Sequence, residues 1–427
     1  MAHGGDEVSA LVLDIGTSTV RAGYAGEDTP RSVFSTTYGY IPTAGAQDPI
    51  TGVSSTDAQL FLGDRVSTWR ASMEATNPMQ DGLISDFSAI PQIISHAFVQ
   101  QMKVNPPDHP VIVTEAPWNT PENRQRMAQI MFEEFKVPAF YISNNAVLSS
   151  FAAGKGTSLV IDIGKSTASV VPISDGFVLR KGISRGTLPR IVQRTAARIL
   201  ANPATGPVAR PPVDLTPHQL IASKKTVEPG VPPEFTLREN RKAQTADSWL
   251  QWTQDREVDE WMQHTSGVLE TGWNEQLAAT RPGKHYEFPS GYNLTFGSER
   301  FIAGEMFFRA PIQPDPSITP SLTLPDLIHK TIENTEPDVR PALLSNVVLT
   351  GGGSLLPGLA DRIYNELQRK YPSQKVKMHA TGHTTERKYG AWLGGSIVAS
   401  LGTFHQLWIS AEEYQEHGAN IVMSRCK

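Results

Sequence analysis

Apolar residues fall along the chain in two kinds of run, short continuous ones and ones at helical spacing, and the two kinds alternate. Leu11-Val12-Leu13 and Leu159-Val160-Ile161 are too short for helices, and each leads through Asp-Ile-Gly and hydroxyl residues into a second apolar stretch, the grammar of a β-hairpin. Val111-Ile112-Val113-Thr114, Phe140-Tyr141-Ile142 and Asn346-Val347-Val348-Leu349-Thr350 read as further strands. Ile90, Ile93, Ile94, Ala97 and Phe98 set out an amphipathic helix within Phe87–Met102. Thr120-Pro121-Glu122 opens another, with a capping residue and proline in the first turn, ending before Pro138. Helices are also expected from about Asn144 to Ala153, over Asp326–Asn334 and after Pro357. Strand and helix in alternation predict an α/β fold. Residues 39–59 and Pro203–Pro233, rich in Gly, Pro or both and without periodicity, predict loops. The charged helical segment that follows carries Trp249, Trp252 and Trp261, read as packing residues and not as a ligand cage.

The two hairpin stretches are nearly the same nine residues. Leu11-Val12-Leu13-Asp14-Ile15-Gly16-Thr17-Ser18-Thr19 and Leu159-Val160-Ile161-Asp162-Ile163-Gly164-Lys165-Ser166-Thr167 differ only at their third and seventh places. A glycine turn brings backbone N–H groups close to an anion. A carboxylate at the strand end suits a divalent cation held through water, since Mg²⁺ sheds its waters reluctantly. Strand-and-turn grammar recurring by chance is the bland alternative; the shared Asp, Gly and Ser-Thr pair argue against it. Two facing copies would clasp one polyphosphate and its metal. Gly351-Gly352-Gly353, between a strand and the helix after Pro357, would let backbone approach a third part of such a ligand.

Composition narrows the setting. With 427 residues, 39% hydrophobic and 19% charged, the chain can build two or more cores. A net charge of −5 offers no global field for nucleic acid, so DNA contact would need a local patch or a partner. The single cysteine, Cys426, cannot form an internal disulfide, which fits a reducing compartment. Neither a secretory signal nor an apolar run of membrane-spanning length is expected. One local patch stands out: Arg180, Lys181, Arg185, Arg190, Arg194, Arg198 and Arg210 lie in a stretch without acidic residues, with Arg190, Arg194 and Arg198 every fourth residue. It reads either as a solvated helix face or as an anion- or partner-binding stripe.

Several of these segments together resemble actin and its relatives. Asp14-Ile15-Gly16 through Arg21-Ala22-Gly23-Tyr24-Ala25-Gly26 is similar to the first phosphate loop and Asp162-Ile163-Gly164 through Val171-Pro172-Ile173 to the second. Leu349-Thr350-Gly351-Gly352-Gly353 with Pro357-Gly358 resembles the adenosine loop. Glu386-Arg387-Lys388-Tyr389 and Trp392-Leu393-Gly394-Gly395-Ser396-Ile397 resemble the C-terminal region, and Thr114-Glu115-Ala116-Pro117 matches too. The resemblance implies the actin-like ATPase fold: two lobes, each a five-stranded mixed sheet with flanking helices, closing on ATP and Mg²⁺. It implies an outer lobe of 1–152 plus 390–427 with a divergent small subdomain at 38–77, and an inner lobe of 153–389 with a divergent segment at 200–285.

By the same resemblance, Asp14 and Asp162 hold the metal's waters. Gly16, Thr17, Ser18, Gly164, Ser166 and Thr167 cradle phosphates, and Arg21 replaces the family's phosphate-binding lysine, as a fork that can bind phosphate bidentately. Lys165 replaces a carboxylate and would hold phosphate oxygens, while Gly351, Gly352, Gly353, Leu355, Leu356 and Lys388 border the base. Leu356 stands where actin has a tyrosine, so some adenine stacking is expected to be missing.

The departures point away from turnover. The positions at which actin orients its attacking water hold Asn145, one methylene shorter than glutamine, and Ser169, which has no imidazole. ATP held with little hydrolysis is expected. Tyr40–Gln59, long and polar where actin has an apolar filament contact, predicts a monomer or heteromeric subunit over a homopolymer. Phe151, Phe177, Val398, Leu401, Thr403 and Leu407 match actin's cleft for amphipathic helices, unless they are simply core. Overall the chain resembles the nuclear branch of the family, including His3–Ala10 and Thr381–Arg387. That implies a nuclear, non-membrane scaffold beside actin on a helix of a remodeller ATPase or scaffold subunit, in chromatin-remodelling or histone acetyltransferase assemblies that engage nucleosomes or linker DNA. The rivals are a polymerising cytoskeletal ATPase and, less favoured, a sugar- or acetate-type kinase of the same lobed fold.

Overall fold

The duplication seen in sequence is a duplication of structure. In a computed structural model describing residues 9–42, 60–202, 210–310, 321–380 and 383–427, Leu11–Ile15 pairs antiparallel with Thr19–Tyr24, and Ser158–Ile163 with Ala168–Ser174. Each first strand then takes a parallel neighbour on its other side, Val111–Glu115 in one case and Val347–Thr350 in the other. A further parallel strand follows in each, Ala139–Asn144 and Met378–His379. The hairpin strand Thr19–Tyr24 is flanked by Ser32–Ser35. Its counterpart Ala168–Ser174 is flanked by two short strands, Phe177–Val178 and Ser184–Gly186. Among the described residues each mixed sheet has six strands where five were expected: the outer gains Ile409–Ser410 at its far edge, and the inner divides one flank in two.

Two large apolar cores follow. One joins Leu11, Ile90, Val111 and Phe140 to Trp392, Phe404 and Ile409 from the end of the chain. The other joins Leu159, Ile191, Trp261, Leu327, Leu349 and Ile363. Sequence periodicity located the helices because their apolar faces cover these cores. Ile90–Ser95 continues as His96–Gln101 with its i→i+5 bonding. Thr120 caps Pro121–Gln129 by accepting from Asn123 N, and Asn144 caps Asn145–Ala152 by accepting from Ala146 N. One expectation fails. Within Pro203–Pro233, Ile221–Lys224 is a strand paired with Phe235–Leu237, an isolated ribbon whose Ile-Ala-Ser-Lys carries no clear alternation. The region read as an exposed loop from 39 begins as a strand, Tyr38–Tyr40 against Glu74–Thr76. Residues 43–59, His3–Val8, Thr381 and Gly382 lie outside the described residues.

The chain leaves the first core through helix Asn145–Ala152 and returns to it through Gly390–Ala399. The two helices cross in backbone contact. A Cβ on Gly394 would lie 1.9 Å from the Leu148 carbonyl oxygen, and one on Gly395 would lie 2.8 Å from Val12 Cγ1. Gly394→Val should accordingly force the helices apart and lower stability by at least about 3 kcal/mol. Gly402→Ala, whose added methyl meets nothing within 4 Å, should change it by less than about 0.5 kcal/mol. Thermal and denaturant unfolding of the two variants check this.

Candidate nucleotide site between the lobes

The paired hairpins face each other. Their turns close with the same bond, Gly16 N to Thr19 O at 3.1 Å and Gly164 N to Thr167 O at 3.0 Å. Across the gap Thr17 Oγ1 meets Ser166 Oγ at 3.1 Å. Beside them a cavity of about 600 Å³ opens between the lobes. The hairpin positions Asp14, Gly16, Thr17, Ser18, Arg21, Asp162, Gly164, Lys165, Ser166 and Thr167 all line it. So do the base-side positions Gly351, Gly352, Gly353, Leu355, Leu356 and Lys388, and the two substituted positions Asn145 and Ser169.

The site is polar at its floor. Asp14 accepts from Thr114 Oγ1 at 2.6 Å and is ion-paired with Arg21, whose guanidinium also lies over the Tyr389 ring at 5.4 Å. Burial pushes the Asp162 carboxyl up to about 6, with the negative charge of Asp14 adding to the shift and Arg21 opposing it. A buried carboxyl with a second carboxylate acting on it fits a divalent cation. Among the described residues no cluster of three or more His, Cys, Asp or Glu forms a metal cage. The pair therefore suits Mg²⁺ held through water and phosphate. Three buried polar atoms on lining residues, Thr19 Oγ1, Arg21 Nε and Gln193 Nε2, have no partner within the protein. Left unpaired, such groups cost about 1–3 kcal/mol each, so a polar ligand fits here.

Three features differ from the sequence reading. Lys165 Nζ donates to Asp259 Oδ1 at 2.6 Å, so its charge is already partnered by helix Asp247–Thr265 instead of reaching freely toward a phosphate. The same helix adds Met262 and Gln263 to the wall, which sequence reasoning missed because nothing in a charged helical run marks which residues face a cleft. Phe307, 2% exposed, lines the cavity along with Leu356 and supplies an aromatic surface that the loss of the loop tyrosine had seemed to remove.

The glycine loop also has a packing role that the sequence does not show. Gly351 has φ +87°, and a Cβ there would lie 2.3 Å from Asp162 Oδ1; one on Gly353 would lie 2.6 Å from Ile163 Cγ2. These two glycines make room for the second hairpin. Only at Gly352 does an added Cβ meet nothing within 4 Å, which leaves that position for a ligand. The C-terminal side is tied in by Gly351 N to Arg387 O at 2.9 Å and Thr350 Oγ1 to Arg387 O at 3.0 Å.

A two-lobed α/β protein with a duplicated hairpin site at the lobe junction is the class this geometry defines, and the chain matches the Actin family model over residues 5–427: it belongs to the actin family. The actin fold generally binds ATP with a divalent cation. The chain is similar to Actin-related protein 4 of Emericella nidulans, 37% identical over 480 residues covering 100% of the chain and 98% of that relative. It is 35% identical to Actin-related protein 4 of Yarrowia lipolytica over 429 residues, 99% of the chain and 97% of the relative. It is 34% identical to that of Schizosaccharomyces pombe over 453 residues, 100% and 99%. Among the described residues no helix is long and apolar enough to cross a membrane.

The glycine assignment is testable. Gly353→Ala should lower the stability of nucleotide-free protein by about 1–3 kcal/mol. Gly352→Ala should leave that stability within about 0.5 kcal/mol while weakening ATP binding. Unfolding curves and fluorescent-ATP titration separate the two effects.

Proposed function

We propose that this chain is an ATP- and Mg²⁺-holding actin-family scaffold that turns its nucleotide over little, does not polymerise by itself, and docks on a partner helix. The observation that carries the reading is the pair Asn145 and Ser169 on the cavity wall. Neither is an acid–base group at neutral pH. Ser169, 4% exposed, is in strand register with Asp162 and brings only a short hydroxyl to the place where a proton acceptor would act. Misplacing a reacting water by about 1 Å can cost on the order of a hundredfold in rate. Asp14, Asp162 and the hairpin amides keep what binding needs. Single-turnover hydrolysis of ATP is expected to be at least about a hundredfold slower than that of muscle actin under the same conditions. Asn145→Gln with Ser169→His should recover part of it, and an actin-like rate in the unmodified protein would sink the reading.

The partner is proposed to be an amphipathic helix of a remodeller ATPase or scaffold subunit, with actin beside it, in a nuclear chromatin-remodelling or histone acetyltransferase assembly. This is supported by apolar side chains left in water: Phe177 is 66% exposed, Leu401 49%, Leu407 45% and Phe151 38%. Thr403 is exposed beside them and Val398 is half-buried against the outer core. The reading that these six are simply core therefore holds for Val398 alone. The Phe151 ring closes on the turn at Gly176, where a Cβ would be 3.2 Å from its Cζ, so this end of the site is preformed. The similarity to Actin-related protein 4 adds weight. Phe177→Asp with Leu407→Asp should weaken binding of a scaffold-helix peptide at least tenfold by calorimetry while leaving ATP binding unchanged, about 1.4 kcal/mol or more. Pelleting of pure protein in polymerising salt and magnesium would favour the cytoskeletal alternative instead.

Nucleosome or linker-DNA engagement is assigned to the assembly. Within the basic stripe, Arg190 lies 3.6 Å from Asp81 and Arg194 lies 4.0 Å from Asp255. Each pair is part-exposed and worth little in stability, yet it removes positive potential from the face that DNA would meet. Among the described residues the carboxylates lining the cavity are Asp14, Glu115, Asp162 and Asp259. Glu115 is bridged by Arg124 at 3.0 Å, so a free base for a kinase substrate is not offered.

A further inference from the structure

The small subdomain of the outer lobe does not pack on the outer core alone. Phe61 and Met73 form a separate apolar cluster with Trp249, against which Trp69, Ala75 and Trp252 pack. Trp249 and Trp252 stand near the start of helix Asp247–Thr265, whose later residues Val258 and Trp261 are embedded in the inner core. One helix is thus shared between the lobes.

The contact is apolar at its centre and directional around it. Trp249 is 1% exposed, and its Nε1 donates to Val66 O at 2.8 Å. Ser72 N donates to Gln244 O at 2.8 Å, and Ala75 N to Ser248 Oγ at 2.9 Å. Ser248 Oγ donates to the Glu74 carboxylate, and Trp69 Nε1 to Thr245 Oγ1 at 2.9 Å. Contacts between lobes of one chain are ordinarily polar enough that relative motion is the default. Here a buried tryptophan and two backbone N–H donors cross the gap, and opening would strand them. The helix is also an arm to the site. Asp259, ten residues and roughly 15 Å along it from Trp249, is the residue that holds Lys165 of the second hairpin.

We propose that Trp249 with Gln244–Ser248 is an interlobe latch that keeps the cleft shut with or without nucleotide, so that escape of a bound nucleotide waits on breaking it. The part about nucleotide rests on the function proposed above; the closure itself does not. A ligand that bridges two lobes can hold them together only while bound, whereas this contact is built from the chain's own side chains and needs no ligand to form. Nucleotide residence is then set by residues some distance from any phosphate.

The test uses the full chain with fluorescent mant-ATP and Mg²⁺, chased by excess ATP, and small-angle scattering of nucleotide-free protein. Trp249→Ala should release mant-ATP at least tenfold faster and give a larger radius of gyration. A second variant, Ala75→Cys with Ser248→Cys, places a crosslink across the latch, since the native Cys426 is buried. Oxidised, it should release mant-ATP at least tenfold more slowly than the same protein reduced. A folded Trp249→Ala protein with unchanged release and unchanged scattering would overturn the latch, as would a crosslinked protein exchanging as fast as its reduced form. If Trp249→Ala unfolds, the crosslinked pair decides alone. If mant-ATP binds no variant, the nucleotide reading falls. The scattering of Trp249→Ala and of the crosslinked pair, compared with the unmodified chain, then decides the latch.

Discussion

Everything in the molecule depends on how closely two helices can approach where the chain passes between lobes. At Gly394 the backbone of the returning helix lies against the Leu148 carbonyl of the outgoing one, at a separation that no side chain permits. Gly390 repeats the constraint one turn earlier, where a Cβ would lie 2.6 Å from Thr350 Oγ1. The crossing therefore fixes both sheets at once: Leu148 sits on the helix that follows one parallel strand, Ala139–Asn144, and Thr350 ends another, Val347–Thr350, in the opposite lobe. With the sheets so placed, the two hairpin turns must meet, and Thr17 and Ser166 do.

That placement explains why duplication is useful here. A single Asp-Ile-Gly hairpin presents one carboxylate and a few amides, which is little for a triphosphate. Two facing copies bring Asp14 near enough to Asp162 for its charge to act there, and burial adds to the effect. The repulsion is a cost of the empty site. It is offset in part by Arg21, paired with Asp14, and by Thr114, and the remainder is what a divalent cation would relieve. The second hairpin has a different local balance, because Lys165 in place of a hydroxyl brings its own cation and finds Asp259. The copies are alike in backbone and opposite in charge economy, so they do not play equal parts toward phosphate.

Much of this was legible in the residues. The hairpins, the strands at Val111, Phe140 and Val347 and the capped helices are local matters, set by apolar runs, glycine turns and the side-chain oxygens of Thr120 and Asn144, and these form where the pattern places them. The lining residues were legible because a repeated motif names both faces of a cleft. What the pattern could not give is long-range. Ile221–Lys224 is a strand only because Phe235–Leu237 lies beside it. Trp249 and Trp261 look alike in sequence, both buried and on one helix, yet they serve different clusters, one of them mostly outer-lobe. Gly351 and Gly353 line the cavity as read, and only the positions of Asp162 and Ile163 show that a side chain at either would also meet the protein itself.

A chain of this family can lose hydrolysis without losing its fold because the two requirements sit on different atoms. Closing the lobes needs the helix crossing, the hairpin turns and the apolar clusters; splitting a phosphate needs a water held to within a fraction of an ångström by a group able to take its proton. Asn145 opens a helix whose packing depends on Ala146, Leu148 and Ser149, all buried, and its own side chain carries none of that burden. Ser169 has strand neighbours that are paired through backbone, which any residue supplies. Substitution at either place therefore leaves the architecture intact. Once turnover is not needed, contacts that oppose opening cease to be a disadvantage, because no product has to leave. If the function proposed above holds, the inner segment around Gln244–Trp252, tied so firmly to the outer lobe, is the kind of structure that such a relaxation permits.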